Sequence, residues 1–211
     1  MLGPLYLIFQ EVIDPGEPAA KRLLDYHTDN FYVRNAAFSQ PYYSRHAWVE
    51  LARGLLKPFL KTYYNTFAGL ADRETYTFWE HYYHVSPHKT HEEGWFLMQT
   101  RWMLWMEKGK TLNLLPGIPR AWLRDGNKIE LENIATYFGQ VSLRVVLHVS
   151  QGWIEAEVEC SGDRKPETVT IRLPHPEEVK TVRVNKGEWD PVKETVVVKG
   201  FDGKVKIRAE Y

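Results

Sequence analysis

Between Glu74 and Glu107 the chain reads ETYTFWEHYYHVSPHKTHEEGWFLMQTRWMLWME, which holds four of its eight Trp and four of its eight His. The indoles are Trp79, Trp95, Trp102 and Trp105, and the imidazoles are His81, His84, His88 and His91. Four carboxylates, Glu74, Glu80, Glu92 and Glu93, lie among or just before them. A hydrophobic core has no use for His and Glu between Trp and Tyr. A pocket for a polar ring such as a sugar does: flat aromatic faces stack on it, and polar groups hold hydroxyls and move protons.

Glu92 and Glu93 are the candidate catalytic carboxylates. At a helix mouth, beside Trp95 and a His-rich loop, either can hold and deprotonate a water. A structural reading stands beside this one. Thr90-His91-Glu92-Glu93 fits a capping box with Glu93 reaching back to the cap, and the helix dipole favours both carboxylates there. The four His recur at spacings of three, four and three, but Pro87 disfavours a helix through Ser86, so they read as a loop folded over something. His81, His84, His88 and His91 are candidate substrate contacts, with zinc binding or ordinary loop contacts as alternatives. The expected metal content is none. Trp102 and Trp105 share a face with Trp95 and read as core. Trp95, at the helix mouth, and Trp79, in the loop, are the candidate stacking platforms. No dinucleotide fingerprint, P-loop, nucleophile elbow or H-E-x-x-H motif is present, and no cofactor is expected.

The elements that must position these residues change character midway. The first half reads as helices: Leu5 to Val12, Ala19 to about Asp29 opened by Pro18, and a long helix from a Ser44 cap to about Gly69 that Pro58 kinks. A last helix runs from His91 to Lys108 and is closed by Gly109. From Val141 onward the period becomes two. Segments 141–149, 153–160, 168–173, 180–184, 194–198 and 204–209 alternate polar and apolar residues between turn signals such as Ser161-Gly162-Asp163 and Asp202-Gly203, as in an antiparallel sandwich. Three regions follow: helical 1–110, an extended packed connector 111–140 with Pro116 and Pro119, and a β-sandwich 141–211.

Composition narrows the partners. The 211 residues carry 27 basic and 27 acidic side chains, so no basic footprint points to nucleic acid and no polybasic helix to a membrane. Cys160 is alone, which excludes an internal disulfide. The segment MLGPLYLIFQEVI lacks a basic leader region and is too short to span a bilayer, so the expected location is cytoplasmic.

The run Gly94 to Gly126 resembles the end of the catalytic barrel in (α/α)6 six-hairpin glycosidases, most closely the α-L-fucosidase type and related bacterial glycoside hydrolases. In those families a Gly-Trp opens the last inner helix, a Gly closes it, and a Leu-Leu-Pro segment leads past a second Pro to a Trp. Here these are Gly94-Trp95, Gly109, Leu114-Leu115-Pro116, Pro119 and Trp122. The resemblance implies the C-terminal part of an (α/α)6 barrel followed by a β-sandwich. It also implies hydrolysis of a glycosidic bond, with Glu92 or Glu93 as base. The sequence places Glu-Glu directly before Gly-Trp, where the fucosidase-like families have Asp a few residues earlier. It has room for four or five helices where a barrel needs twelve, so the general acid is expected on another segment or chain. Carbohydrate is the expected ligand, and association, with itself or with a chain bearing the other barrel helices, is expected too. A non-catalytic carbohydrate-binding or assembly subunit is the alternative.

Overall fold

The computed structural model describes residues 4–33, 36–37, 45–81, 84 and 86–211. The Ser44 cap, Tyr82, Tyr83 and Val85 lie outside them. The chain divides into two compact units, Met1–Met103 and Leu104–Tyr211.

The first unit is helical: α1 (Pro4–Phe9), α2 (Pro18–Phe31), α3 (His46–Ala52), α4 (Leu56–Leu70) and α5 (Thr90–Leu104), whose last residue opens the second unit. Two short strands, β1 (Tyr32–Val33) and β2 (Ala36–Ala37), form an antiparallel ladder after α2. Pro18 sits in the first turn of α2, where its missing amide has no helical acceptor to lose. The helix expected over 44–69 is two helices. The Gly54 amide donates to the Leu51 carbonyl and the Leu55 amide to the Glu50 carbonyl, with Gly54 at φ +74°, which is a Schellman stop. Pro58 is the third residue of α4, again within the turn whose amides are unbonded, so it kinks nothing. Leu5, Ile8, Ala20, Leu24, Val49, Phe59 and Leu70 are buried in this unit, and α3 is buried at every position from His46 to Leu51. A helix covered all round is a core helix rather than a surface one.

The second unit contains ten strands: β3 (Trp105–Lys108), β4 (Thr111–Leu114), β5 (Lys128–Thr136), β6 (Gly139–His148), β7 (Trp153–Cys160), β8 (Thr168–Arg172), β9 (Arg183–Val184), β10 (Glu188–Asp190), β11 (Thr195–Lys199) and β12 (Lys204–Glu210). They form two five-stranded sheets, ordered β10-β11-β8-β4-β3 and β5-β6-β7-β12-β9. β4 runs parallel to β8, and the other recorded pairs are antiparallel. Val141, Leu143, Val145 and Leu147 of β6, and Ile154, Ala156 and Val158 of β7, alternate inward, as do Leu112 and Leu114 of β4 and Val169 and Ile171 of β8. One buried face on each sheet is the pattern of a two-layer sandwich. On the opposite face Lys204 reaches Glu157 at 3.0 Å and Lys206 reaches Glu155 at 2.8 Å, exposed pairs of small energetic weight.

This architecture overturns the expected partial (α/α)6 barrel. The described residues form five α-helices, three of them at most 14 residues long and none ranged as barrel hairpins, beside two five-stranded sheets. The motif behind the expectation belongs largely to the sheet. The last helix ends at Leu104, and Trp105–Lys108 turns about Gly109 (φ +53°) into the β3–β4 hairpin. Leu114 closes β4, and Leu115 and Ile118 are buried in the segment that follows. The region expected to be a connector thus carries β4 and β5. No helix among the described residues is long and apolar enough to cross a membrane.

Gly162 shows how tightly the second unit is closed. A Cβ there would lie 2.3 Å from the Phe138 carbonyl oxygen and 3.1 Å from Gly139 Cα, both backbone atoms. Gly162→Ala is expected to destabilise this unit by about 1–3 kcal/mol, through backbone displacement rather than lost contacts. The urea midpoint of its unfolding measures this; an unchanged midpoint contradicts the close approach.

Candidate functional site

The His- and Trp-rich segment leaves α4 through a tight turn. Ala71 bridges Phe78, the Asp72 amide donates to the Thr77 carbonyl, and the Trp79 amide donates to the Leu70 carbonyl at 2.9 Å. Asp72 holds the turn by accepting from the Glu74 amide and the Thr75 hydroxyl, bonds that depress its pKa. Phe78 is thereby buried against Leu70, with Trp95 and Phe96 of α5 packed on the pair. The chain comes back when the Lys89 amide donates to the Phe78 carbonyl at 3.2 Å. Between these points His84, Ser86 and His88 have φ of +53°, +59° and +59°, a concentration of left-handed non-glycine residues of the kind that gathers at functional loops.

Within this frame Glu92 stands apart. Its side chain is 0% exposed, and neither carboxyl oxygen accepts a hydrogen bond. His91 Nε2 lies 3.2 Å from Oε1, but off the line that a hydrogen bond requires. Burial pushes the Glu92 pKa up to about 8; the nearby charge of Glu80 raises it further, and Lys89 opposes them. Glu80 is itself held by Lys89 at 3.1 Å. Glu92 is therefore a carboxylic acid, not a carboxylate, at neutral pH.

Glu93 faces elsewhere. It is half-buried, and its charge is not among those that move Glu92, as expected for neighbours about 100° apart round a helix. The capping box is not formed: α5 begins at Thr90, and the amides of Glu92 and Glu93 both donate to the Lys89 carbonyl. Trp79 stacks on His84, with ring centroids 5.1 Å apart and planes 19° from parallel. His81 accepts from the His84 amide through its carbonyl, and His84 and His88 are exposed. Trp95 belongs to a second aromatic group with Phe9 and Trp102, and one of its faces carries the Arg45 guanidinium 3.2 Å from the ring centroid. Arg45 Nη2 also donates to Tyr6 Oη at 2.6 Å. The structure thus brings Trp79, His81 and His84 together, and His91 to Glu92, but sets Trp95 among core aromatics.

Sequence reasoning missed a second polar cluster in the same unit. His27 on α2 meets His46 on α3, Nδ1 to Nδ1, at 3.4 Å, and His46 Nε2 lies 3.3 Å from Glu50 Oε1. The signals were present: His27 continues the buried Ala20 and Leu24 stripe of α2, and His46 and Glu50 are four residues apart on one helix. Among the described residues no group of three His, Cys, Asp or Glu is placed to hold a metal ion. No protein-family model matches the chain, and no curated protein is significantly similar to it.

Proposed function

We propose that the chain carries an acid/base site for hydrolysis of a glycosidic bond, with Glu92 as proton donor. The observation that carries this reading is the wholly buried, unbonded Glu92 carboxyl, held protonated to about pH 8. A leaving sugar oxygen needs a proton as its C–O bond breaks, and an acid whose pKa lies near the working pH can supply it. Glu80, whose charge reaches Glu92, is the carboxylate that takes the proton from the attacking water. Trp79 with His84 offers the aromatic and polar surface for the ring, and His81, His88 and His91 its hydroxyl contacts. Leu97, two-thirds exposed on α5, and the exposed Tyr64 and Phe67 of α4 support association with another chain or copy.

Leaving-group dependence tests the role. Glu92→Gln is expected to lower kcat on alkyl glycosides by about 10²–10⁴ and to change it far less on dinitrophenyl glycosides, whose leaving group needs no proton. Equal losses on both overturn the proton-donor assignment.

Two observations favour a non-catalytic carbohydrate-binding subunit instead. The Glu92 carboxyl has no surface open to a ligand, and one face of Trp95 is already occupied by Arg45. That reading expects sugar binding, followed by calorimetry, that is unchanged in Glu92→Gln, with no hydrolysis by either protein.

A further inference from the structure

The cluster at His27, His46 and Glu50 joins α2 to α3 through side chains that are 1%, 2% and 2% exposed. Its order is carboxylate, imidazole, imidazole. Glu50 Oε1 faces His46 Nε2, and the His46 and His27 Nδ1 atoms face one another. One proton fits between the two Nδ1 atoms, since two N–H groups cannot point at each other across 3.4 Å. With His46 donating from Nε2 to Glu50, His46 Nδ1 accepts from His27 Nδ1, and His27 Nε2 is left as a bare lone pair. That nitrogen is buried and has no partner, as is Glu50 Oε2. The rings are sealed by aromatic neighbours: Tyr32 stacks on His46 at 3.9 Å, and Phe31 lies 5.0 Å from His27.

We infer that this buried imidazole pair is an acid-triggered switch: a proton taken up at His27 Nε2 places a charged N–H where no acceptor meets it, and α2 separates from α3 to bring it to water. Among the described residues, Glu50 of α3, the Thr28 hydroxyl of α2 at 3.4 Å from His46 Nε2 and the Tyr32 ring of β1 face the pair. A charge at His27 Nε2 lies at the opposite end of the relay from the Glu50 carboxylate, with the His46 ring between them. Burial and the His46 charge hold the His27 pKa down to about 4, against an ordinary value of 6.5. The sign follows. A depressed folded pKa means that the contribution to stability is present above 6.5 and is lost as pH falls through 4. Trp48 sits on α3 between His46 and Glu50 and is buried, so separation alters its surroundings directly.

Hydrogen exchange on the full chain in the Glu92→Gln background, where that carboxyl adds no pH dependence, tests the switch. Amides of α2 and α3 are expected to lose protection by on the order of a hundredfold between pH 6.5 and 4, relative to amides of α4 and after correction for intrinsic rates. His27→Gln, which keeps a hydrogen-bonding group but cannot take a proton in this range, is expected to abolish the loss. Undiminished protection in the parent at pH 4, or an equal loss in His27→Gln, overturns the proposal. If His27→Gln does not fold, nitrogen-15 spectra of histidine-labelled parent protein decide. Titration of His27 coincident with opening of α2 and α3 supports the switch, and titration without opening rejects it.

Discussion

Glu92→Gln is expected to make the helical unit more stable than the parent at pH 8 while leaving it nearly unchanged at pH 5. The Glu92 carboxyl has an ordinary pKa of 4.5 in the unfolded chain and about 8 when folded. Between these values the unfolded chain releases a proton that the folded chain keeps. The stabilisation is therefore fully present below pH 4.5 and is lost as pH rises through 8. The whole window is worth several kcal/mol, at most about 5, since one pKa unit corresponds to about 1.4 kcal/mol. Gln has nearly the same shape and no proton to lose, so the substitution removes the slope. His27 acts in the opposite direction, adding stability as pH rises from 4 to 6.5. The parent should therefore be nearly level from pH 4.5 to 6.5 and fall from 6.5 to 8. Glu92→Gln should rise to pH 6.5 and then stay level. Urea unfolding followed by helix ellipticity at each pH distinguishes the curves. A parallel fall in both proteins between pH 6.5 and 8 would place the responsible group elsewhere.

The elements that sequence periodicity revealed are those whose one buried face is their dominant pattern. β6, β7, β8 and β12 alternate cleanly and stand close to the expected positions, and Pro18 marks the start of α2. β3 was hidden because Trp105 and Met106 continue the apolar run of α5, and because a Gly that stops a helix also serves as a hairpin turn. β4 and β5 were hidden because the prolines and Leu between them suggested extended packing without naming partners; the parallel pairing of β4 with β8 joins residues more than fifty apart. The break before α4 turned on Gly54 at a Schellman position, a more decisive signal than Pro58. At the site, a carboxylate among aromatics was legible at Glu92. Its protonation state was not, because it depends on complete burial and on the charge of Glu80, twelve residues earlier. Glu93, read in the sequence as a capping-box residue as well as a candidate base, is set apart from Glu92 by helical geometry.

Arg172→Ala is expected to destabilise the β-unit by about 3–5 kcal/mol, the usual cost of leaving a buried ionic or polar group without its partner. Arg172 ends β8, is 6% exposed, and donates from Nη1 to the Ile118 carbonyl at 2.9 Å and from Nη2 to Glu194 at 3.2 Å. Glu194, just before β11, also accepts from Arg120, which reaches the His175 carbonyl with its other nitrogen. One guanidinium thus ties the buried segment after β4 to the ends of β8 and β11. Burial brings its pKa down to about 10, still charged at neutral pH, with Glu194 opposing that fall. Alanine would leave the Ile118 carbonyl without this donor and Glu194 with Arg120 alone. The energetic argument is about breaking the pair, not about the pair's net worth. Removing both partners together, as in Arg172→Met with Glu194→Met, leaves no carboxylate short of a partner and is expected to cost less than the two single changes added. A double-mutant cycle by urea unfolding reads this directly. Strict additivity would mean that Arg172 and Glu194 act independently, and that the segment after β4 is held by packing of Leu115, Ile118 and Leu123 alone.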